Sequence, residues 1–285
     1  MKLINPSFEI IEQAPDIQGV KKQIERAGRT CYKSEDKITD TSCEEFVSRM
    51  VNSGHGAMLE HGTVYLYIKY GSPLDNDNEY FKLVDIAIKY KKNKYSVVNT
   101  KVENTYWHHC WITTNYRVLV ENGWLDDLQY QCEPTEHHEK RITVKFICDR
   151  GVSHEFVRHR VFSFAQESTR YCNYSKSKFG EELTFIAPSR EMDALAQDVI
   201  ESCLSDLESH YMSLIGLGWK AQEARAVLPN AVKTELVMTG FVSDWKHFFK
   251  LRCHSTAHPD ARALVIPLQD KFIELNYITD ESKNN

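Results

Sequence analysis

Hydrophobic residues change their spacing twice along this sequence, and the change limits the folds that the chain can adopt. Residues 63–70 and 141–148 alternate bulky apolar side chains with others, a period typical of β-strands. Helical spacing comes before them over residues 18–29 and after them over residues 191–217. We therefore predict an α+β fold, in which a central mixed or antiparallel sheet carries helices at both ends.

Shorter patterns add elements to this outline. Thr41 and Glu44 have the spacing of a capping box, which predicts a helix that begins there and ends at Ser53 and Gly54. Residues 72–138 are rich in Asn, Asp, Lys and Tyr, and we interpret them as a segment inserted into a single domain of residues 1–285. Further predicted elements are a strand at 183–186 and helices at 115–130, 152–160, 220–228, from 243 onward, and at 259–275.

Composition and charge exclude several classes of protein. The formal net charge of −5 argues against a dedicated nucleic-acid-binding protein. No run of about 20 apolar residues is present, and the first residues lack the apolar core of a signal peptide, so we expect no membrane span and a cytoplasmic location. The 8 cysteines form no CxxC pair, which favours free thiols over a zinc site or a disulfide framework.

The segment over residues 158–171 holds the densest group of polar side chains. These are interleaved with bulky apolar residues, so we predict that the segment is partly buried. A buried arginine needs an anionic partner, and Glu155 and Glu167 cannot neutralise Arg158, Arg160 and Arg170 together. A bound phosphate would complete the balance, since the arginine fork suits it. A solvated, salt-bridged surface is the alternative that composition leaves open.

Two other kinds of chemistry are disfavoured in the same region. His154 and His159 resemble a zinc-binding pair, but their spacing places them ~140° apart on a helix rather than on one face. Ser168 with His159 as its base would suggest a hydrolase, but no G-x-S-x-G turn surrounds the serine. We therefore expect neither a metal site nor a nucleophilic serine here.

The segment resembles the signature of the flavin-dependent thymidylate synthase family. That signature is Arg-His-Arg, seven further residues and then Ser, and this sequence matches it at Arg158, His159, Arg160 and Ser168. Residues 54–61 resemble the family's N-terminal His…Glu-His block, and residues 223–229 with 245–252 resemble its C-terminal block. The resemblance therefore spans roughly residues 15–275.

This resemblance implies an enzyme that methylates dUMP to dTMP. Methylene-tetrahydrofolate is the expected carbon donor, and FAD reduced by NADPH is the expected hydride source, without a cysteine nucleophile. The family also implies a homotetramer with a central α/β domain and with FAD at the subunit interfaces. Such a shared site would explain why the sequence has no Rossmann glycine motif.

The resemblance assigns roles residue by residue. As catalytic residues, Arg170 would polarise the uracil or hold the phosphate, Ser168 would donate a hydrogen bond to the nucleotide, and His55 would orient the flavin or the pterin. The cofactor-binding residues that it implies are His55, Glu60, Arg158, His159, Arg160, Gln166 and His247. The substrate-binding residues that it implies are Arg158, Gln166, Glu167, Ser168, Arg170, Arg225 and Arg252.

The sequence departs from the family at several of these positions. Phe241 and Ser243 stand where the family often has Asn and Arg, His247 replaces a frequent Asn, and Gln166 replaces a frequent Glu. Two alternatives therefore stay open. One is a nucleotide-binding relative that has lost the chemistry through weakened FAD binding, and the other is a nucleic-acid-binding module that uses the arginines of the segment.

Overall fold

The computed structural model describes residues 1–71, 78–177 and 180–279. Its strands form two antiparallel sheets and one short parallel pair, with helices packed around them. The strands are β1 (Lys2–Ile4), β2 (Ser7–Ile11), β3 (Thr63–Tyr70), β4 (Val97–Glu103), β5 (Trp107–Asn115), β6 (Arg141–Asp149), β7 (Ser163–Gln166), β8 (Thr184–Ile186) and β9 (Lys233–Phe241). The helices are α1 (Ile17–Tyr32), α2 (Ser42–Asn52), α3 (Gly56–Leu59), α4 (Asn78–Lys92), α5 (Tyr116–Asn122), α6 (Arg150–Phe156), α7 (Ala194–Gly216), α8 (Ala221–Ala224), α9 (Val242–Arg252) and α10 (Pro259–Glu274).

β9 is the strand that positions the segment over residues 158–171. The four-stranded sheet has the order β2-β6-β9-β7 and is antiparallel throughout. β9 pairs with β6 on one side and with β7 on the other, where Ser163 lies opposite Thr239 and Gln166 lies opposite Leu236. Because β7 belongs to the segment, the register of β9 determines which way its side chains point.

Helices α9 and α10 supply an aromatic layer that packs against this sheet. Trp245, Phe248, Phe249 and Phe272 are fully buried and cluster with Phe146 of β6. The indole Nε1 of Trp245 donates a hydrogen bond to a backbone carbonyl of β6 at 3.1 Å, so its polar atom is satisfied inside the layer. Each buried phenylalanine contributes roughly 1.5–3 kcal/mol relative to an exposed one, so this layer anchors α9 firmly to the sheet.

The second sheet has the order β3-β5-β4. Its middle strand, β5, comes from the segment over residues 72–138 and pairs with β3 from Asn115 opposite Thr63 to His108 opposite Tyr70. Helix α4 of the same segment packs on this sheet through the fully buried Tyr90. The segment therefore supplies both a central strand and a helix to this core, and its residues 72–77 lie outside the described part of the chain.

The predicted fold class is confirmed in its elements and corrected in its sheets. Antiparallel strands and flanking helices are present, but the strands form two antiparallel sheets and a parallel pair instead of one central sheet. β9 is absent from the prediction. Leu236, Val237 and Met238 are all fully buried, so the centre of β9 is a continuous apolar run without the alternation that identifies a half-buried strand.

Most predicted helices are present with shifted boundaries. Those at 18–29, 191–217 and 259–275 are confirmed within a few residues. The helix predicted at 115–130 ends early, because Gly123 (φ 69°) caps α5 in the left-handed region and a 3-10 turn, Leu125–Tyr130, follows. The helix predicted at 220–228 is the short α8 followed by a 3-10 turn, Arg225–Val227. Within the described ranges, none of the helices is long and apolar enough to cross a membrane.

The predicted capping box is wrong. Helix α2 begins after Thr41 as expected, but the threonine side chain makes no capping hydrogen bond. The carboxylate of Glu44 instead accepts hydrogen bonds from Gln18 and Lys21 of α1. A tertiary contact between two helices has therefore replaced the local one.

Candidate functional site

The segment over residues 158–171 runs from the end of α6, through β7, into the loop beyond. Helix α6 begins where the Asp149 carboxylate accepts a hydrogen bond from the backbone N–H of Val152 at 2.8 Å. After α6, the backbone N–H of Phe162 donates to the carbonyl of His159 at 3.1 Å, and the turn leads directly into β7. The segment is therefore fixed at one end by a capped helix and in its middle by β9.

The three arginines of the segment project to solvent. Arg158, Arg160 and Arg170 are exposed, whereas Glu167 is only 2% exposed. The segment is partly buried as predicted, but the expectation of buried arginines is wrong, because the turn after α6 and the loop after β7 direct them outward. Within the described ranges no ion pair involves these arginines, and Glu155 and Glu167 pair with other cations.

His159 and Arg252 lie together between α6 and α9. Nε of Arg252 donates a hydrogen bond to Nε2 of His159 at 3.0 Å, and Nη2 donates to the carbonyl of Glu155 at 2.7 Å. Burial, then the charges of Arg252 and His247, lower the pKa of His159 to about 4, so the ring is neutral at pH 7. Because Nε2 accepts, the ring proton is assigned to Nδ1. Arg252 also forms an ion pair with the Glu155 carboxylate, so all three sides of its guanidinium are engaged.

Gln166 and Glu167 are bound to the sheet rather than free in a pocket. The Gln166 amide donates to Oγ of Ser153 at 2.9 Å and to Oγ1 of Thr234 at 3.2 Å. The Glu167 carboxylate accepts from the Tyr174 hydroxyl at 2.9 Å and from Nζ of Lys233 at 2.7 Å. Each side chain is thus held by the protein itself, and the charge of Glu167 is already compensated.

A charged network continues from Glu167 into the sheet through Lys233. Nζ of Lys233 also contacts the carboxylate of Glu235 at 2.7 Å. Glu235 forms further ion pairs with Lys33 and Lys145 and is almost wholly buried. Burial alone would raise the pKa of Glu235, but the charge of Lys233 and the hydrogen bonds from the lysines outweigh it and hold that pKa below its usual value.

Ser168 and Arg170 lie at the exposed end of the segment. The backbone N–H of Ser168 donates to the carbonyl of Cys31 at 3.0 Å, which ties the loop to α1. The backbone N–H of Arg170 donates to Oγ of Ser168 at 3.4 Å, and the Arg170 guanidinium lies 5.5 Å from the ring of Tyr171. Tyr171 is 60% exposed, so its ring lies at the surface beside the exposed Arg170 and the partly exposed Ser168.

Glu60 and Arg160 line the same cavity, which has a volume of about 490 Å³. Residues of both antiparallel sheets contribute to its wall, including Asn115 at the end of β5 and Gly240 in β9. The Glu60 carboxylate is paired with Arg117, also in the wall. Two of the predicted cofactor-binding residues are therefore brought together.

Arg141 is a member of this cavity that sequence reasoning missed. Its Nη1 donates to the carbonyl of Glu60 at 2.9 Å, and its Nη2 donates to Oγ of Ser163 at 3.4 Å. Nε of Arg141 is buried and has no hydrogen-bond partner among the described residues. Burial lowers the pKa of Arg141 to about 10, which leaves it cationic at pH 7. A charged residue at the start of a strand is common, so the sequence offered no pattern that singles it out.

His61 lies beneath the same region and is fully buried. Its Nδ1 is 2.8 Å from Oγ1 of Thr239, which in turn is 2.8 Å from Oγ1 of Thr143. Burial and the charge of Arg141 lower the pKa of His61 to about 3, so its ring is neutral. Within residues 54–61 the sequence analysis named Glu60 and not the neighbouring His61 as a site residue, although His61 has the more unusual environment.

His55 and His247 are exposed and stand apart from these groups. His55 is the residue before α3, with Nδ1 3.0 Å from Oγ of Ser53. The ring of His247 lies 6.4 Å from that of His159, without a direct hydrogen bond between them. A single chain therefore does not gather every predicted site residue around one cavity.

Arg225 contacts the segment at Thr169. Its Nη1 donates to Oγ1 of Thr169 at 3.3 Å. It lines a second cavity of about 490 Å³, together with residues of α6 and of the loop before β9. Thr169, which the prediction did not include, thus connects Arg225 to the predicted substrate-binding residues of the segment.

Comparison with known proteins decides the family. The family model described as "Thymidylate synthase complementing protein" matches residues 104–275, which is more than half of the chain. The chain belongs to this family. The match includes α9, β9, the whole segment over residues 158–171 and the part of the 72–138 segment that contains β5. Only residues 72–103 of that segment precede it.

Named relatives are flavin-dependent thymidylate synthases. The chain is 34% identical over 119 residues to the protein of Geobacter sulfurreducens, across 42% of this chain and 50% of that one. It is 28% identical over 180 residues to the Pyrococcus furiosus protein, across 61% and 72% of the two chains. It is 24% identical over 271 residues to the Corynebacterium aurimucosum protein, across 91% and 77%. The alignment thus spans half the length of the Geobacter protein.

Among solved structures, the chain is similar to the crystal structure of a UMP/dUMP methylase, PolB, from Streptomyces cacaoi bound with 5-Br dUMP. The TM-score is 0.43 and the sequence identity 15%, across 96% of this chain and 93% of that one.

Proposed function

We propose that this member of the family is a FAD-dependent thymidylate synthase that converts dUMP to dTMP. Family membership supports the reaction class. The observation that carries the proposal for this chain is the exposed set of Arg158, Arg160 and Arg170, which forms no ion pair among the described residues, has the buried His159 between its first two members and precedes the exposed Tyr171. A guanidinium group can bind a phosphate through two hydrogen bonds, so exposed arginines without a carboxylate partner are available to a nucleotide monophosphate.

The proposed chemistry uses methylene-tetrahydrofolate as the carbon donor and NADPH as the reductant. Uracil C5 is a weak nucleophile, so negative charge that develops on the ring must be stabilised by fixed cations. Arg170 and Arg225 would hold the phosphate or polarise a uracil carbonyl, and Ser168 would donate a hydrogen bond to the nucleotide. Bound FAD would supply the reducing equivalents, and His55 would orient the flavin or the pterin.

The cavity lined by Glu60 and Arg160 is the place where we propose that the flavin binds. Its volume of about 490 Å³ lies within the usual range for ligand pockets. The buried, unpaired Nε–H of Arg141 on its wall can donate to a carbonyl or phosphate oxygen. These contacts would support the cofactor roles that we propose for Glu60, Arg160 and the neighbouring Arg158 and His159.

A route without a cysteine nucleophile is supported by the thiols of this chain. Burial raises the pKa of Cys31, whose backbone carbonyl accepts a hydrogen bond from Ser168, and it raises the pKa of Cys253 to about 11. A protonated thiol is a poor nucleophile. Hydride transfer is therefore the better proposal for this chain than addition of a cysteine to C6 of the pyrimidine.

We propose a homotetramer with shared FAD sites, and α7 supports association between copies of the chain. This 23-residue helix buries only Leu204 and Tyr211, although it is rich in apolar residues. Leu195 and Val199 on its outer side are 78% and 69% exposed. Apolar surface of this kind favours association. We expect Val199→Asp to convert the tetramer into smaller species in light scattering after gel filtration, whereas Ser213→Asp on the same helix should not.

The reaction is tested by tritium release from [5-³H]dUMP in the presence of FAD, NADPH and methylene-tetrahydrofolate. We expect release that requires NADPH and that collapses in Arg170→Ala. The matched control is Arg190→Ala, since Arg190 is also exposed but lies outside the segment. Folded, yellow, FAD-loaded protein without release would refute the synthase and favour a nucleotide-binding relative. Colourless protein that shifts oligonucleotides in a salt-dependent way would favour the nucleic-acid-binding alternative.

A further inference from the structure

Part of the wall of the cavity lined by Glu60 comes from the segment over residues 72–138, which the sequence predicts to be an insertion. Asn115, at the end of β5, and Arg117, in the first turn of α5, both line this cavity. The Asn115 side chain caps α5, since its Oδ1 accepts a hydrogen bond from the backbone N–H of Val118 at 3.2 Å. The first turn of α5 is therefore held at the edge of the cavity.

Main-chain contacts fix the start of α5 to the N-terminal block over residues 54–61. β5 pairs with β3 along its whole described length and leads directly into α5. The backbone N–H of Tyr116 then donates to the carbonyl of Gly62 at 2.8 Å. Because Gly62 directly follows the block, the strand register keeps Arg117 beside it.

The Arg117 guanidinium bridges two carboxylates. Its Nη1 donates to Oε1 of Glu60, and its Nε donates at 2.7 Å to Oε1 of Glu121, one turn further along α5. The main chain of Glu60 is held by a different arginine, because Nη1 of Arg141 donates to its carbonyl at 2.9 Å. The backbone and the carboxylate of Glu60 thus have separate anchors, and Arg117 anchors the carboxylate.

Gly56 leaves the space that the Arg117 side chain occupies. A Cβ at position 56 would lie 2.9 Å from Nε of Arg117 and 3.2 Å from Oε1 of Glu121. Contacts this short would force the guanidinium to shift, since packed side chains leave little free space. Gly56 begins α3, directly after His55 and shortly before Glu60. Arg117 therefore packs against the short helix that separates two of the predicted cofactor-binding residues.

The pair between Arg117 and Glu60 lies at the surface of the cavity, with the two side chains 37% and 28% exposed. Water screens an ion pair in such a position, so the pair contributes little to the stability of the fold. Its effect is on orientation, because a carboxylate already held by a guanidinium loses less conformational entropy when a ligand binds to it. A carboxylate also has more lone pairs than one guanidinium N–H occupies.

We propose that Arg117 is a positioning residue of the cofactor site, and that the segment over residues 72–138 thereby takes part in flavin binding. Arg117 orients the Glu60 carboxylate, whose remaining lone pairs accept a hydrogen bond from FAD; the ribityl hydroxyls and the ring N3–H are donors of the required kind. This inference rests on the proposed function, which places FAD in the cavity, and it names the residue through which the segment acts.

The test is a double-mutant cycle on the dissociation constant of FAD, measured by the quenching of flavin fluorescence when FAD is added to the flavin-free full-length protein. We expect Arg117→Gln to weaken FAD binding about 10-fold and Arg117→Lys to recover part of the loss. In a Glu60→Ala background, Arg117→Gln should change the constant by less than about twofold, because the carboxylate that Arg117 orients is gone. Lys92→Gln is the matched control, since Lys92 is an exposed cation of the same segment, and it should bind FAD like the native protein.

Two outcomes would overturn the inference. One is an FAD affinity within about twofold of native in Arg117→Gln, and the other is an equal loss with and without the Glu60 carboxylate, as a purely structural role predicts. If Arg117→Gln does not fold, Gly56→Ala takes its place because its methyl group displaces the same guanidinium, and native FAD affinity in that variant counts against the inference.

Failure of the proposed function gives different results. Native protein that binds FAD in an Arg117-dependent way but releases no tritium refutes the synthase alone. Native protein that binds no FAD refutes the proposed function and the inference together.

Discussion

The guanidinium of Arg252 donates a hydrogen bond to the imidazole of His159 across a sequence separation of 93 residues. The contact joins the end of α9 to the start of the 158–171 segment and presents His159 as a neutral ring with its proton on Nδ1. Arg252 is therefore as much a positioning residue for His159 as a candidate ligand for the substrate.

Arg252→Met should raise the pKa of His159 from about 4 towards its ordinary value of 6.5. The arginine charge disfavours the imidazolium, and its loss removes that repulsion although burial remains. Between those two pH values the unfolded chain binds the proton more readily, so the native protein should lose stability as the pH falls through this range and the variant should lose less. NMR titration of the His159 ring measures the shift.

Lys250→Met is the control for this change, because Lys250 is an exposed cation on the same helix. The pKa of His159 in Lys250→Met should equal its pKa in the native protein. A His159 pKa that stays near 4 in Arg252→Met would show that burial alone is responsible.

Glu235→Gln should destabilise the protein by about 3 kcal/mol at pH 7, since it removes the charge of the buried carboxylate that Lys33, Lys145 and Lys233 share. The pKa of Glu235 is held below its usual 4.5, so the ionised carboxylate stabilises the fold above that pH and its contribution is lost as the pH falls further. Urea denaturation at pH 7 and at pH 3 should show a large difference between native and variant at the higher pH and a smaller one at the lower.

Glu274→Gln provides the comparison for the buried network. Glu274 forms an exposed ion pair with Lys271, and such pairs contribute little. Equal destabilisation by Glu235→Gln and Glu274→Gln would mean that the buried network stabilises the fold no more than an exposed ion pair does.

Gly240→Ala should lower stability by about 1–3 kcal/mol and reduce the flavin content of the purified protein. A Cβ at position 240 would lie 2.5 Å from the ring of Phe162, which is packed in the aromatic layer and cannot move freely. Gly240 and Phe162 also line the cavity that we assign to FAD. Thermal unfolding and the absorbance of bound flavin measure the two effects.

The same substitution at Gly216 is the matched control. A Cβ there meets nothing within 4 Å, so Gly216→Ala should be neutral or stabilising by about 0.5–1 kcal/mol. Indistinguishable melting temperatures for the two alanine variants would contradict the close approach of Phe162 to β9.

Cys31→Ala should retain tritium release, because burial keeps the thiol protonated and the proposed route uses no cysteine. Since Cys31 contacts Met58 and the loop at Ser168, a modest loss of stability is expected. Loss of release from a folded variant with normal flavin content would place a cysteine in the mechanism. Cys203, which is exposed, supplies the comparison substitution.

Local patterns predicted the elements whose sequences show a clear period of apolar residues and failed where that period is missing. The strand at 63–70 alternates bulky apolar residues in its sequence and was predicted closely, although its first four residues are all buried. β9 is buried on both sides, so its sequence lacks the period that would identify it. The capping box failed for another reason: Glu44 found partners on α1, which no local spacing can reveal.

The sequence showed which chemical groups the site contains, but it did not show which residues those groups contact. Arg158, Arg160 and Arg170 fall within one short segment, so their clustering needs no fold to be seen. The hydrogen bond between His61 and Thr239 spans 178 residues and depends on how the two sheets approach each other.

Because β9 pairs with both β6 and β7, it limits where the chain can gain or lose residues. A residue inserted into β9 would shift the registers with β6 and β7 at once and turn the side chains on one side of the insertion to the opposite face. A residue inserted into the connection between β7 and β8 would change neither register. Homologues of different lengths should therefore have gained or lost residues in their connections, while β9 keeps its count.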